Sequence, residues 1–313
     1  MRWSVTPSDA SAPDGRRAVE PELDPGASAD DHFAVRNVGA DEVTFKLTAA
    51  DGYFTRAGRF DILAADEKST DSGTWISMPE TVTVPAGDTA IVPFTVTVPD
   101  RAEPGDHAAG ITASVLSVQS AQDGTSVGVE SRVGFRVLTR VTGEIAPAAS
   151  LPSVATDYTT SWNPLRPGEL TVTFDVSNDG NTRLLAKGVV EAGGQQVAFP
   201  AEGENPQELL PGDVRTITTV VQNVWPTFVV PTTVTLNATS ATMDGASVEI
   251  DPVQAGTVAW AVPWPQLIVL AGIALIVLAI VWGRIRSRRK LDTLLAQARE
   301  EGRQDAATTV PVP

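Results

Sequence analysis

Between Asp251 and Arg284 the chain carries no charged side chain, and Leu267–Trp282 inside that window reads LIVLAGIALIVLAIVW. The wider stretch from Trp264 to Gly283 has 20 residues. As a helix rising about 1.5 Å per residue it reaches about 30 Å, the thickness of a bilayer's hydrocarbon core. Trp260 and Trp264 flank one end and Trp282 the other, where indole rings favour the headgroup region. Arg284, Arg286, Arg288, Arg289 and Lys290 follow directly. A buried core helix is the competing assignment, but it rarely combines so long an apolar run with an adjoining basic cluster. The expectation is a single membrane helix over 264–283. The basic cluster predicts a cytoplasmic C-terminus, with residues 1–260 outside the cell membrane.

That orientation needs an export signal. The opening MRWSVTPSDA has no basic segment followed by an apolar one, so a signal peptide is expected outside this sequence. After the helix, Ile285, Leu291, Leu294, Leu295 and Ala298 fall near helical spacing. The 284–313 tail either prolongs the helix or lies on the inner leaflet, with its last residues, AATTVPVP, expected to be disordered.

The remainder is acidic. Residues 1–265 hold 16 Lys+Arg and 34 Asp+Glu, a balance of −18, whereas 284–313 hold 7 and 4, a balance of +3. An acidic body excludes nucleic acid as a partner, since phosphate binding needs a basic face. The 313 residues include no cysteine, which excludes disulfides, thiol nucleophiles and Cys-ligated metals. Only four of the 23 basic residues are Lys, a bias typical of GC-rich bacterial coding.

Gly (25) and Pro (23) are spread along the chain, as expected of short strands joined by turns. Residues 31–48, DHFAVRNVGADEVTFKLT, alternate in polarity on either side of a turn at Asn37–Ala40. TVTVPAGDTAIVPFTVTVPD (81–100), ITASVLSV (111–118) and SVGVESRVGFRVLTRVTG (126–143) continue the strand pattern. The scheme then recurs. ELTVTFDVSNDGNTRL (169–184) parallels 31–47, with a hairpin signal at Asn178-Asp-Gly-Asn181. LLPGDVRTITTVV (209–221) parallels the Pro-containing turn and strand at 81–100, and FVVPTTVTLNATS (228–240) supplies a later strand. The predicted class is all-β: two tandem Ig-like β-sandwich domains plus one C-terminal transmembrane α-helix. The expected bounds are 1–143 and 157–256 for the sandwiches. Residues 144–156, rich in Pro, Ala and Ser, read as a linker or connecting strand.

Three segments of the first half carry a family pattern: ELDPGASADDHFAVRNVG (22–39), FDILAADEKSTDSGTWISM (60–78) and PETVTVPAGDTAIVPFTVTVPDRAEPGDHAAGI (79–111). Together they resemble the peptidoglycan-binding domain of WxL-interacting proteins of Gram-positive cell surfaces. The likeness covers about residues 3–140, and 150–250 only as architecture. It implies contact with peptidoglycan through the first domain and with a secreted WxL-like surface protein through the second.

Chemistry is thinly supplied. The sequence has no P-loop, GxGxxG, HExxH or GxSxG, and only two histidines, His32 and His107. Asp66, Glu67, Asp71 and Ser72 read as a solvated acidic loop, matching no calcium-loop spacing. No catalytic residue, metal or cofactor is predicted, and the chain is expected not to be an enzyme. Sugar polymers are usually held by exposed aromatic faces and polar neighbours. Asp51, Tyr53, Phe54 and Trp75 are therefore the ligand-binding candidates, against core packing for each aromatic. Trp162 and Trp225, in Pro-adjacent loops, are the candidates for a partner-protein patch. The leading expectation is a non-catalytic, membrane-anchored surface protein binding peptidoglycan, a surface protein, or both. The alternative is a tethered assembly or chaperone-like adaptor that pairs with secreted proteins by β-strand addition. A wall-acting hydrolase is a third class, requiring a cleft with two facing carboxylates.

Overall fold

The structure, a computed structural model, describes residues 2–55, 58–64, 67–120, 126–241 and 247–308. It is mostly β with one C-terminal helix. In the first half the strands are β1 (Trp3–Ser8), β2 (Ala18–Val19), β3 (Glu22–Leu23), β4 (Ser28–Asn37), β5 (Val43–Phe54) and β6 (Phe60–Ile62). After a 3-10 turn at Ser72–Trp75 come β7 (Ile76–Ser77), β8 (Thr81–Val84), β9 (Thr89–Thr97), β10 (Gly105–Ser120) and β11 (Ser126–Val141). One sheet runs β1-β4-β9-β7 and the other β2-β11-β10-β5-β6, with β3 on β11 and β8 on β5.

Polarity alternation decides which side chains enter the core. Along β5, Val43, Phe45 and Leu47 are buried while Thr44 and Lys46 face water. They meet Phe33 and Val35 of β4, Phe94 and Val96 of β9 and Ile111 of β10 in one cluster. Phe33 lies 5.9 Å from Phe94 and 5.7 Å from Phe135, centroid to centroid, in tilted contacts.

In the second half, β12 (Ala149–Thr159), β13 (Gly168–Asn178) and β17 (Val214–Val224) form a three-stranded sheet. Opposite it, β14 (Leu184–Ala192) is flanked by β15 (Gln195–Phe199) and β16 (Gln207–Leu209) on one side and by β18 (Phe228–Ala241) on the other. β18 also pairs with β19 (Ser247–Glu249) and β20 (Val253–Ala261). A second core, built on Leu170, Val172, Phe174, Val176, Val234 and Leu236, lies between these sheets.

Three features refine the sequence expectation. The tetrad at 178–181, which carries a hairpin signal, is not a hairpin, and the turn at 37–40 has the same form. β4 pairs with β1 and β9 while β5 belongs to the opposite sheet, and β13 and β14 are divided in the same way. Each turn is an arch between sheets, because the side chain of its Asn is buried in the arch. The 144–156 segment, read as a linker or connecting strand, includes the first part of β12, which pairs with β13 along most of its length. Finally, β20 runs past residue 256 to Ala261, which brings the end of the sandwich to the start of the helix.

That helix, α1 (Trp264–Thr308), has 45 residues. It contains the predicted span and continues through the basic cluster without a break. It is long and apolar enough to cross a membrane, with a window of mean hydropathy 2.6, none of which is buried in the protein. It is therefore not packed into the core of this chain, as a core helix would be.

Candidate functional site

The four residues expected to bind a ligand come from one neighbourhood but do not converge. The Asp51 carboxylate accepts the amide hydrogens of Thr70 (2.7 Å), Asp71 (2.9 Å) and Gly73 (2.7 Å), tying the 3-10 turn to β5. A Cβ on Gly73 would lie 2.3 Å from the Asp51 nitrogen, so the turn can sit this close only with glycine. Trp75, ending that turn, is 7% exposed and belongs to the first core. Its ring offers no free face to a sugar, and it packs 4.7 Å from the His107 ring. Phe54 lies edge-on to Phe60 at 5.8 Å and has the Arg215 guanidinium 5.2 Å over its face. Tyr53, on the opposite face of β5, is the one large ring of the set open to solvent. Asp51, Phe54 and Trp75 are thus each engaged by contacts within the protein.

His107 bridges Asp71 through Nδ1 (2.9 Å) and the Glu103 carbonyl through Nε2 (2.9 Å). Burial favours the neutral ring. Two acceptors, one of them a carboxylate, outweigh it and hold the pKa above the ordinary histidine value. Among the described residues no group of three or more His, Asp or Glu side chains could hold a metal ion. Asp66 lies outside the described residues.

Phe54 and Phe60 belong to a small third cluster with Ala108, Leu138 and Leu210, which joins the two halves. Polar contacts surround it. Asn181 donates from Nδ2 to the carbonyls of Pro104 (2.8 Å) and Glu144 (2.9 Å). Asp106 forms a two-point ion pair with Arg140 (2.6 and 2.7 Å) and accepts the Arg183 amide hydrogen (2.6 Å). Arg183 reaches Glu20 (3.0 Å) and Glu208 (3.3 Å). The contact is close: a Cβ on Gly105 would lie 2.1 Å from the Asn181 carbonyl oxygen. No sequence signal marked Asn181 or Arg183 as junction residues, although the Asn-Asp-Gly-Asn tetrad marked the bend that presents them.

Strand edges differ between the halves. In the first half β7 is two residues long, β1 carries Pro7, and β2 and β3 lie along the edge of β11. In the second half β12 carries Pro152 and an irregular register at Ser150/Ser153. These devices discourage pairing with a further strand. β17 has little of this protection. It is 11 residues long, pairs only with β13 among the described residues, and has no charged side chain after Arg215. Its outward Thr216, Thr218 and Val220 are exposed. Beside it, β15 and the following Pro200 and Ala201 wall a groove of about 330 Å³, lined on the β17 side by Ile217–Val220. The sequence identified 209–221 as a strand, but its edge position follows only from the topology.

The two tryptophans expected to meet a protein partner stand at the other end of the second half. Trp162 is 78% and Trp225 52% exposed, in the β12–β13 and β17–β18 loops. Trp260 and Trp264 are also exposed, at the end of β20 and the first residue of α1.

No family model matches the chain, and no curated protein matches it. Solved structures with a similar path include one from a chaperone–tip adhesin complex of CFA/I fimbriae biogenesis, 10% identical, covering 84% of this chain and all of that one (TM-score 0.40). The class 5 fimbriae chaperone CfaA is 14% identical, with coverage of 84% and 100% (TM-score 0.35). A structure from the CsuC–CsuE chaperone–tip adhesion subunit complex of Acinetobacter baumannii is 9% identical, with coverage of 81% and 98% (TM-score 0.39). The likeness is one of β-rich architecture.

Proposed function

We propose that the chain is a non-catalytic, membrane-anchored surface protein. Two tandem Ig-like sandwiches stand outside the cell, and the second receives an extended segment of a secreted partner along β17. One observation carries this reading: the edge of β17, unpaired beyond β13 among the described residues and uncharged after Arg215, opens onto a groove. An unpaired edge offers a row of backbone donors and acceptors, and a groove beside it selects alternate side chains of the added strand. The resemblance to WxL-interacting proteins agrees with a secreted surface protein as partner. Peptidoglycan contact, which the same resemblance implies, has Tyr53 as its remaining aromatic candidate.

A photo-crosslinking side chain at Thr218 of the full chain, in its native membrane, tests the proposal. The expected result is an adduct with a discrete exported protein, lost when Val220→Lys places a charge beside the edge. Absence of any adduct, with retention of the detergent-solubilised chain by insoluble peptidoglycan, would reject strand addition in favour of wall binding.

A further inference from the structure

The second half has two ends. The arch at 178–181 and the turn at 210–213 face the first half. At the opposite end Gly168 of β13 pairs with Val224 of β17, and Phe228 of β18 pairs with Ala261 of β20. The loops 160–167 and 225–227 therefore leave the sandwich on the side where β20 leads into α1.

Three independent observations set this end apart. It is apolar and open: Trp162 is 78%, Leu165 83% and Phe228 51% exposed, next to exposed Trp225 and Trp260. Water-soluble ends rarely present so many large apolar side chains together. Its loops also lack acids within an acidic body, although exposed Asp157 and Glu169 stand on the strands that enter and leave the first of them. Residues 158–168 carry Arg166 and no Asp or Glu, and 216–243 and 252–283 carry no charge at all. Third, its position along α1 is fixed. Gln266 Nε2 donates to the Pro164 carbonyl at 3.0 Å, and the apolar run begins at the next residue, Leu267. The 160–167 loop is thus held level with the boundary of the membrane-spanning segment.

The β17–β18 loop shows the same bias in its backbone. Asn223 and Phe228 both have positive φ, 61° and 70°. For a bulky ring this is a rarely occupied region, maintained only when surrounding structure imposes it. Here it accompanies a loop whose rings stand outward.

We infer that this end of the second half is seated in the lipid headgroup layer, with Trp162, Leu165 and Trp225 entering the bilayer surface beside α1 and Arg166 facing headgroup phosphates. The inference rests on the reading of α1 as membrane-spanning. It reassigns Trp162 and Trp225 from a protein partner to lipid. Amphipathic rings are stable at that depth, with the indole N–H hydrated and the ring among acyl carbons. The loops would act as a second foot beside the helix, fixing the tilt of the sandwich and so the height at which β17 is presented.

The chain has no cysteine, so single-cysteine variants can be spin-labelled in the full protein, reconstituted into phosphatidylethanolamine/phosphatidylglycerol vesicles. Leu275→Cys reports the helix, Trp162→Cys and Leu165→Cys the loop, and Glu42→Cys the far end of the first half. Collision with oxygen relative to a water-soluble nickel complex measures depth. The expected order is Leu275 deepest, 162 and 165 intermediate, and 42 fully aqueous. If Leu275 is deep while 162 and 165 match 42, the loops stand in water or await a protein, and the inference fails alone. An aqueous signal at Leu275 would overturn the membrane reading and the inference with it.

Discussion

Asn37 and Asn178 occupy the same corner of the two halves with the same hydrogen-bond scheme. Asn37 Nδ2 donates to the carbonyl four residues on, Asp41 (2.7 Å), and to Val84 (3.0 Å), while its Oδ1 accepts the Gly39 amide hydrogen (2.9 Å). Asn178 repeats this with Thr182 (2.7 Å), Leu209 (3.2 Å) and Gly180 (3.1 Å). Even the main chain agrees: the amides of Asn37 and Asn178 donate to Asp88 and Asp213, each in the turn that follows the second carbonyl partner. The duplication suggested by the sequence pattern is therefore also a duplication of buried polar structure.

Removing the amide leaves these buried groups without partners. Asn178→Ala should cost about 3 kcal/mol, several unmet hydrogen bonds at about 1 kcal/mol each. Asn178→Asp should cost more at neutral pH, because a carboxylate would face two carbonyl oxygens. Part of the loss should return on acidification, when the protonated acid can donate. Thermal melting of the full chain in micelles, followed by near-UV circular dichroism at pH 5 and pH 8, measures both. A mutant as stable as the parent would show that the corner is dispensable.

Asp106 should govern whether the halves melt together. Its carboxylate joins Arg140, with both side chains 9% exposed, and anchors the Arg183 amide of the other half. That hydrogen-bonded pair is the main reason the Arg140 pKa is raised. Breaking one side of a buried pair costs about 3–5 kcal/mol. The coulombic influence of Glu20 and Glu22 on Arg140 places Asp106→Asn near the lower figure. A single calorimetric transition in the parent should split into two in the variant. One unsplit, unshifted transition would show that the apolar cluster around Leu210 suffices for coupling.

His107 makes stability depend on pH. Its folded pKa is raised above 6.5, so the protonated ring binds Asp71 more strongly in the folded chain than in the unfolded one. The contribution is complete below about pH 6.5, the unfolded histidine value, and is lost as pH climbs through the folded value. The difference in melting temperature between the parent and His107→Gln should therefore shrink from pH 6 to pH 9. Asp71→Asn should flatten the same profile. A difference that stayed constant would place the contribution of His107 in its packing against Trp75.

Much of this architecture was legible in local pattern. Alternation placed Phe33, Val35, Phe45 and Leu47 on core-facing strands, and an unbroken apolar run placed the membrane-length helix. What local pattern does not encode is which sheet a strand joins. Asn-Asp-Gly-Asn has the residues of a tight hairpin, yet Asn178 turns inward to cap the carbonyls of Thr182 in the arch and Leu209 of β16, and the flanking strands separate. Nor does it encode what covers an aromatic. Trp75 follows a polar, glycine-containing segment that reads as an open loop, but Asp51 folds that segment back onto β5 and closes the core over the ring.

The same turn yields a direct test of whether Asp51 serves structure or ligand. Asp51 Oδ2 accepts two amide hydrogens and Oδ1 a third, an arrangement that needs two acceptor oxygens. Asn presents one oxygen and one NH2, so in either orientation a donor meets a donor. Asp51→Asn should cost about 1–3 kcal/mol, as expected for an unsatisfied part-buried group. Gly73→Ala should be at least as damaging, since its Cβ would fall 2.3–2.7 Å from the backbone of Ala50 and Asp51, which has no side-chain freedom to yield. Tyr53→Ala, at an exposed position away from these bonds, should change stability by no more than about 0.5 kcal/mol. Binding to insoluble peptidoglycan separates the roles. If Asp51 is structural, any retention lost in Asp51→Asn returns at a temperature low enough to refold the variant. A fully folded Asp51→Asn chain that no longer pellets, alongside a Tyr53→Ala chain with the same defect, would instead mark this stretch of β5 as a sugar-binding surface.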